Sequence, residues 1–322
     1  MDHVVEKSRV RELSRAPAIT KVPRQEYEHL VWPYVLALPF MNGIAFYAHM
    51  KKIVLGWFDM KPRVNCWLGD GLTASGRRVR DGAKTWRALD TVYNFKEGKG
   101  PNAIARLIDT FYMHIRSAQA PRNRLKMAKE TLWDAALHIR SERDSTLANE
   151  PVRILSLAAG SAQGVIEVMD GLRKQGIRCE AFLVDTDPTA IAHARTLANT
   201  HGLSDSLQAV VGDVFRFKKL IGDFQPDIVE MMGLTDYLED RQAVVLFKLI
   251  RMRLHRGGYF FTSNVHPNPE RYFLEQVVNW GDMIYRTKHD LKNLLAEAGF
   301  LDPKVVPEPH GFQSFVYDRR TD

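Results

Sequence analysis

From Pro151 onward the chain alternates short apolar runs with amphipathic stretches, a pattern that few architectures satisfy. ILSLAA and residues 181–184, 207–211, 227–231 and 258–262 are apolar at nearly every consecutive position. A strand can afford that only when both of its faces are covered, so the runs predict strands of a buried sheet. Between them, residues 163–175, 188–201 and 239–255 show helical spacing, and Pro188 occupies a first-turn position that favours proline. Strand and helix in strict alternation require right-handed crossovers and parallel pairing, the signature of a doubly wound α/β domain. After a helix over 288–298 the runs 304–307 and 312–318 are joined only by EPHG, too little chain for a crossover. An antiparallel hairpin therefore ends a mostly parallel sheet of seven strands.

The amino-terminal part has a different texture. Leu30 to Met50 contains no Asp, Glu, Lys or Arg over 21 residues, about the length that spans a bilayer. Pro33, Pro39, Asn42, Gly43 and His49 weigh against a spanning helix. The run reads as buried helix or pocket wall, with a membrane-touching surface as the alternative. Residues 69–82 (GDGLTASGRRVRDG) read as a loop, in the first place a solvated linker and as the alternative one that holds phosphate, and amphipathic helices are expected over 102–115 and 122–140. The expected division is a mainly helical extension over 1–100, capping the substrate side, and an α/β domain over 101–322.

In open parallel sheets ligands bind beyond the carboxyl ends of the strands. The first strand is followed by Ala158, Ala159, Gly160 and Ser161, small residues that let backbone approach a ligand at a helix start. The second ends in Asp185 and Thr186, 25 residues past Gly160, where a carboxylate can reach ribose hydroxyls. The third is followed by Asp213 and Val214. A carboxylate after a strand is often only a helix cap. Three such signals at successive strand ends point instead to a bound nucleoside.

This set resembles the class I S-adenosylmethionine-dependent methyltransferases: ILSLAAGSAQG for the glycine motif, LVDTDPTAI for the ribose strand end, VVGDVF for the adenine motif, then PDIVEMMGLTDYL, LHRGGYFFTSN and KHDLKNLLAEAGF. The resemblance implies that Ala158, Ala159, Gly160 and Ser161 line the methionine end of S-adenosylmethionine. It further implies that Asp185 and Thr186 meet the ribose, that Asp213 and Val214 meet the adenine, and that Met231, Met232 and Gly233 lie beside the sulfonium. Arg116, Arg122 or Arg124 would pair with the cofactor carboxylate. Two departures stand out. Ser156 replaces the acidic residue of the family's first motif, and Ala158 and Ala162 replace two of its glycines, which is tolerable where no positive φ is required. Candidate catalytic groups follow strands four and five: Tyr237, Asn264, His266 and Tyr285, with His266 as a base and Asn264 orienting the acceptor, or with both merely shaping the turn. No metal ligand set is expected.

Composition narrows the partner. The net charge of +7 suggests nucleic acid, but residues 1–150 carry +9 and residues 151–322 carry −2. The fourth strand ends in EMMG rather than an Asn/Asp-Pro-Pro-aromatic motif, and neither Cys66 nor Cys179 stands at a catalytic edge. The favoured acceptor is thus a small or amphiphilic molecule. An RNA methyltransferase using the basic half is the first alternative, and a non-catalytic nucleoside-binding or scaffold protein the second. The missing GxGxxG disfavours a nicotinamide enzyme. Two cysteines without a CxxC, and a start without an apolar signal core, lead us to expect a cytoplasmic protein.

Overall fold

The computed structural model describes residues 23–29, 34–98, 100–143 and 150–321. In chain order its main elements are α1 (Ala37–Gly56), α2 (Ala74–Asp81), α3 (Trp86–Tyr93), α4 (Ala103–Met113), α5 (Arg116–Glu142), β1 (Val152–Leu157), α6 (Gln163–Lys174), β2 (Cys179–Asp185), α7 (Pro188–Thr200), β3 (Leu207–Val211), β4 (Ile228–Met231), α8 (Asp240–Arg253), β5 (Tyr259–Val265), α9 (Lys288–Glu297), β6 (Lys304–Pro307) and β7 (Gln313–Arg319). The seven strands form one sheet in the order β3-β2-β1-β4-β5-β7-β6. Pairings from β3 through β5 are parallel, whereas β7 runs antiparallel to both β5 and β6. The doubly wound sheet and its terminal hairpin are as the sequence pattern requires.

Along β1, side chains alternate between two separate cores, as the period of two demands. Val152 and Ile154 join the core formed with α5, α6 and α7, while Leu155 and Leu157 join the one formed with α8 and α9. Both faces being covered, the strand reads as an unbroken apolar run. The chain order reverses between β1 and β4, which opens a crevice at their carboxyl ends.

A third core holds the helical extension together and ties it to the sheet's end. Met41, Ile44, Ala45 and Ala48 of α1 pack with Val92, Tyr112, Met113, Phe273 and Val277. The other side of α1 leaves Phe40, Phe46 and Tyr47 exposed, and Trp57 and Phe58 just past its end are exposed as well. Of the uncharged run, residues 30–33 lie outside the described residues; from Ala37 it is helical. Among the described residues no helix is long and apolar enough to cross a membrane.

Two expectations need correction. Residues 69–82 are not a loop: Thr73 caps α2, accepting the Gly76 N–H at 3.1 Å, and Arg80 pairs with Asp70 and Asp81. Buried and paired charge thus does here what apolar periodicity does elsewhere. The helix expected from residue 122 instead begins at Arg116, with Pro121 inside it. Its first turn is held by Glu270, which accepts the Ser117 N–H at 2.9 Å, and the helix runs through Pro121 at the loss of the bond to the Ser117 carbonyl.

Candidate active site

A cavity of about 380 Å³ lies in the crevice beyond β1, β2 and β4. Ala158, Gly160, Asp185, Thr186 and Asp187 form its floor, with Met232, Gly233, Asp236 and Tyr237 along one side. The start of α3 closes it from above and Arg124 of α5 borders it. A narrower cleft beside it, about 80 Å³, is lined by Ala158 to Gly164, Arg124, Glu230 and Met232.

The floor takes its shape from backbone. Gly160 has φ +54°, and a Cβ there would stand 3.3 Å from Cβ of Trp86, so a side chain would crowd the roof. Ala158 and Ala162 also adopt left-handed conformations, at φ 53° and 50°. Positive φ is therefore required at both positions where alanine stands for glycine, contrary to the expectation that it would not be. The strain is about 1–2 kcal/mol per residue.

Asp185 is held by two backbone donors, Gly160 N–H on Oδ2 and Asp187 N–H on Oδ1, each at 2.8 Å. Asp187 caps α7 through the Thr189 N–H at 2.8 Å. The helical extension closes onto this corner: Trp86 Nε1 and Arg87 Nη2 donate to Thr189 Oγ1 at 3.1 and 2.8 Å, and the Trp86 and His193 rings are 4.5 Å apart.

The three arginines separate. Arg122 pairs with Glu28 at 2.6 Å and donates to the Met113 carbonyl. Arg116 begins α5, and neither of these two lines the cavity. Arg124 does: it is 5% exposed, Nη2 donates to Tyr93 Oη at 3.3 Å, and Nε finds no partner among the described residues. A Cβ on Gly233, which has φ +87°, would come within 3.2 Å of Arg124 Nη1. A cation buried this deeply next to open space is suited to a carboxylate.

Ser156 also gains a context that the sequence did not disclose. It faces Glu230 across the β1–β4 ladder and donates its hydroxyl hydrogen bond to that carboxylate. Burial pushes the Glu230 carboxyl up to about 7, against the pull of the Ser156 hydrogen bond and the Arg124 charge. An acid of the neighbouring strand thus stands beside the position where β1 carries Ser156.

Of the candidate catalytic groups, Tyr237 lines the cavity, while Asn264, His266 and Tyr285 do not. Tyr237 Oη accepts from Trp280 Nε1 at 2.6 Å, and burial raises its phenol to about 12. Asn264 donates to the Ile284 carbonyl at 2.8 Å and accepts from Arg286 at 2.8 Å. His266 Nδ1 sits 3.1 Å from the Pro267 carbonyl. The Tyr285 ring packs under Arg271, 4.7 Å from its guanidinium carbon. Met231 is fully buried in the core, whereas Met232 and Gly233 reach the cavity. Asp213 caps the turn after β3, taking the Phe215 N–H at 2.9 Å, beside buried Val214; both stand one strand end beyond the cavity. Asp236, which the sequence reading passed over, is both buried and on the cavity wall. The rule that singled out Asp185 and Asp213, a carboxylate just past a strand end, would have found it. No group of His, Cys, Asp and Glu that could hold a metal occurs among the described residues.

Comparison with known proteins supplies the frame. A protein-family model described as "Putative methyltransferase" matches residues 43–315. A crystal structure of a possible exported protein from Bordetella parapertussis superposes with a TM-score of 0.64 at 17% identity, covering 95% of this chain and 100% of that one. The CMeT domain of the citrinin polyketide synthase gives 0.50 at 15% identity, over 69% of this chain and 57% of that one. No curated protein matches the sequence. The structural likenesses establish the fold; the family match extends across the helical extension from α1 to β7.

Proposed function

The chain belongs to this methyltransferase family, and from that premise we propose that it transfers the methyl group of S-adenosylmethionine to a small, amphiphilic acceptor. The observation that carries the proposal is the pairing, in one cavity, of the backbone-held carboxylate of Asp185 with the buried cation of Arg124. An amino-acid-bearing nucleoside needs both: an acceptor for ribose hydroxyls at one end, and a cation for its carboxylate at the other. The residues present fit the group. Asp185 and Thr186 would hold the ribose, Ala158 to Ser161 and Arg124 the methionine arm, and Glu230 the amino group, with Asp213 and Val214 at the adenine edge.

When bound, the cofactor supplies a methyl carbon already activated by its sulfonium. What the protein must do is align the acceptor and exclude water. The roof formed by Trp86 and the wall of Met232, Leu234 and Trp280 serve that exclusion. A second, apolar cavity adjoins the first, sharing Ser117, Pro121, Leu274 and Trp280 and running into the helical extension past Tyr112 and Val92. This continuity supports an acceptor with an apolar extension rather than RNA, and the exposed apolar side of α1 supports its delivery from a greasy surface. Residues 1–100 act in this reading as the substrate-side cap.

The test is transfer of labelled methyl from S-adenosylmethionine to a panel of amphiphilic hydroxyl, amine and thiol acceptors. Label appearing in an acceptor, with equimolar S-adenosylhomocysteine formed, supports the proposal. Absence of both label and S-adenosylhomocysteine binding would overturn it.

A further inference from the structure

Resting on that reading, we infer that Asp236 is the general base of the transfer and that the acceptor is a flat molecule bearing an acidic hydroxyl, a phenol or an enol. Asp236 follows β4, is 4% exposed, and borders the large cavity. Its Oδ1 accepts the Val265 N–H at 2.7 Å, which orients the carboxylate, and its backbone carbonyl accepts the Ile284 N–H at 2.7 Å, which fixes the main chain beneath it.

The segment carrying it is clamped further by Arg286, which is 3% exposed and donates to the Thr235 carbonyl at 2.7 Å, to the Leu238 carbonyl, and to Asn264 Oδ1 at 2.8 Å. Arg286 and Asn264 are positioning residues here: they fix the backbone on both sides of Asp236 and leave its side chain to the cavity.

The surroundings select the acceptor. Trp86, Tyr237, Trp280 and Phe312 line the same cavity, surfaces on which a planar ring can stack. The charges facing the carboxylate are the guanidinium groups of Arg124 and Arg286, with the Tyr237 and Tyr285 phenols nearby. Arg286 is itself paired with Asp240 at 2.7 Å, so the cation that borders the cavity and can help stabilise a developing phenolate or enolate is Arg124. Burial raises the Asp236 carboxyl to about 6, against the opposing pull of Arg124, the Val265 N–H and Arg286. A base of that strength is ionised at neutral pH and is matched to an acidic hydroxyl, not to an aliphatic alcohol.

In the transfer the acceptor O–H bond breaks and its proton passes to the Asp236 carboxylate. The acceptor oxygen forms the new O–CH3 bond as the S–CH3 bond breaks with its electron pair staying on sulfur. The proton then leaves to solvent with the product.

The test reads the contact of the carboxylate with the acceptor hydroxyl directly, without turnover. 4-Nitrophenol is titrated into the protein saturated with S-adenosylhomocysteine over a range of pH, and the apparent pKa of the bound probe is read from nitrophenolate absorbance. An ionised carboxylate at the hydroxyl disfavours a second anion beside it, so the bound probe's pKa should be higher in wild type than in Asp236→Asn, which keeps an Oδ1 acceptor for Val265, by about one unit or more, and Asp236→Glu should restore part of the difference. Methyl transfer to a weakly acidic phenol should fall at least about a hundredfold in Asp236→Asn, and by less for 4-nitrophenol, which ionises without help. Equal probe pKa in wild type and Asp236→Asn, equal losses for the two phenols, or no probe binding to the saturated protein would each overturn the inference. Failure of S-adenosylhomocysteine to bind wild type would instead overturn the proposed function on which it rests.

Discussion

The backbone N–H of Gly160 donates to Oδ2 of Asp185 at 2.8 Å, joining the ends of β1 and β2 across 25 residues of sequence. That bond does two things. It fixes the carboxylate toward the crevice, and it holds the small-residue loop against the strand end where a ribose would sit. An ionised carboxylate has about four lone-pair sites, so the two backbone donors leave capacity for hydroxyl groups. The rest of the account builds outward from this corner.

Arg124 is the cation expected to hold the methionine carboxylate. Arg124→Met keeps much of the side chain's volume and removes the charge. The affinity for S-adenosylhomocysteine should fall by about ten- to hundredfold, the equivalent of roughly 1.5–3 kcal/mol for a charged hydrogen bond. Adenosine, which lacks the amino-acid arm, should bind wild type and variant alike. Equal losses for both ligands would show that Arg124 supports the fold rather than the ligand.

Ala158 sits at φ 53°, where a β-carbon is strained. Replacing it by glycine removes about 1–2 kcal/mol of strain and returns about 0.5–1 kcal/mol through the greater freedom of the unfolded chain. Ala158→Gly should therefore stabilise the protein slightly, by roughly 0.5–1 kcal/mol, in urea unfolding. A clear loss of stability would mean that the loop does not hold the left-handed conformation.

Two carboxylates give stability opposite dependences on pH. Asp170 accepts from Lys174 and Arg173 at 2.7 Å and from His201 at 3.1 Å, which holds its carboxyl well below the usual range. Its stabilisation is complete above the unfolded value, about 4, and is lost as pH falls through the depressed folded value. Glu230 is the reverse: raised to about 7 by burial, it costs stability as pH climbs from its unfolded value toward 7. Melting temperatures measured from pH 3 to 8 should show a shallower acid limb in Asp170→Asn and a smaller decline between pH 5 and 7 in Glu230→Gln. For Asp170→Asn the loss near neutral pH should be about 1–2 kcal/mol, since its partners are partly exposed. Unchanged slopes in both variants would contradict these assignments.

Much of the α/β half was legible because its determinants are local. The runs of β1, β2 and β4 are apolar on both faces since both are covered, and the five residues between β6 and β7 permit only an antiparallel return. Asp185 was legible for the same reason, as it ends a strand. What escaped the sequence depends on partners far along the chain. The α2 helix has no buried residue to give it an apolar stripe and is tied down instead by the pairing of Arg80 with Asp70, and Arg124 lies against Gly233, more than a hundred residues away. Glu230 became readable as the partner of Ser156 only through the register of β1 against β4. Asp236 was within reach of the strand-end rule, but the Val265 N–H and the Arg286 contacts that hold its segment come from far along the chain.

The central claim is that the crevice beyond β1 and β2 binds S-adenosylmethionine through Asp185, and calorimetric titration of S-adenosylhomocysteine into wild type and Asp185→Ala tests it most directly. The account predicts one site per chain in wild type and an affinity lowered at least tenfold in the variant, with the fold intact by circular dichroism. Absence of binding to wild type, or equal affinity in the two proteins, would contradict it.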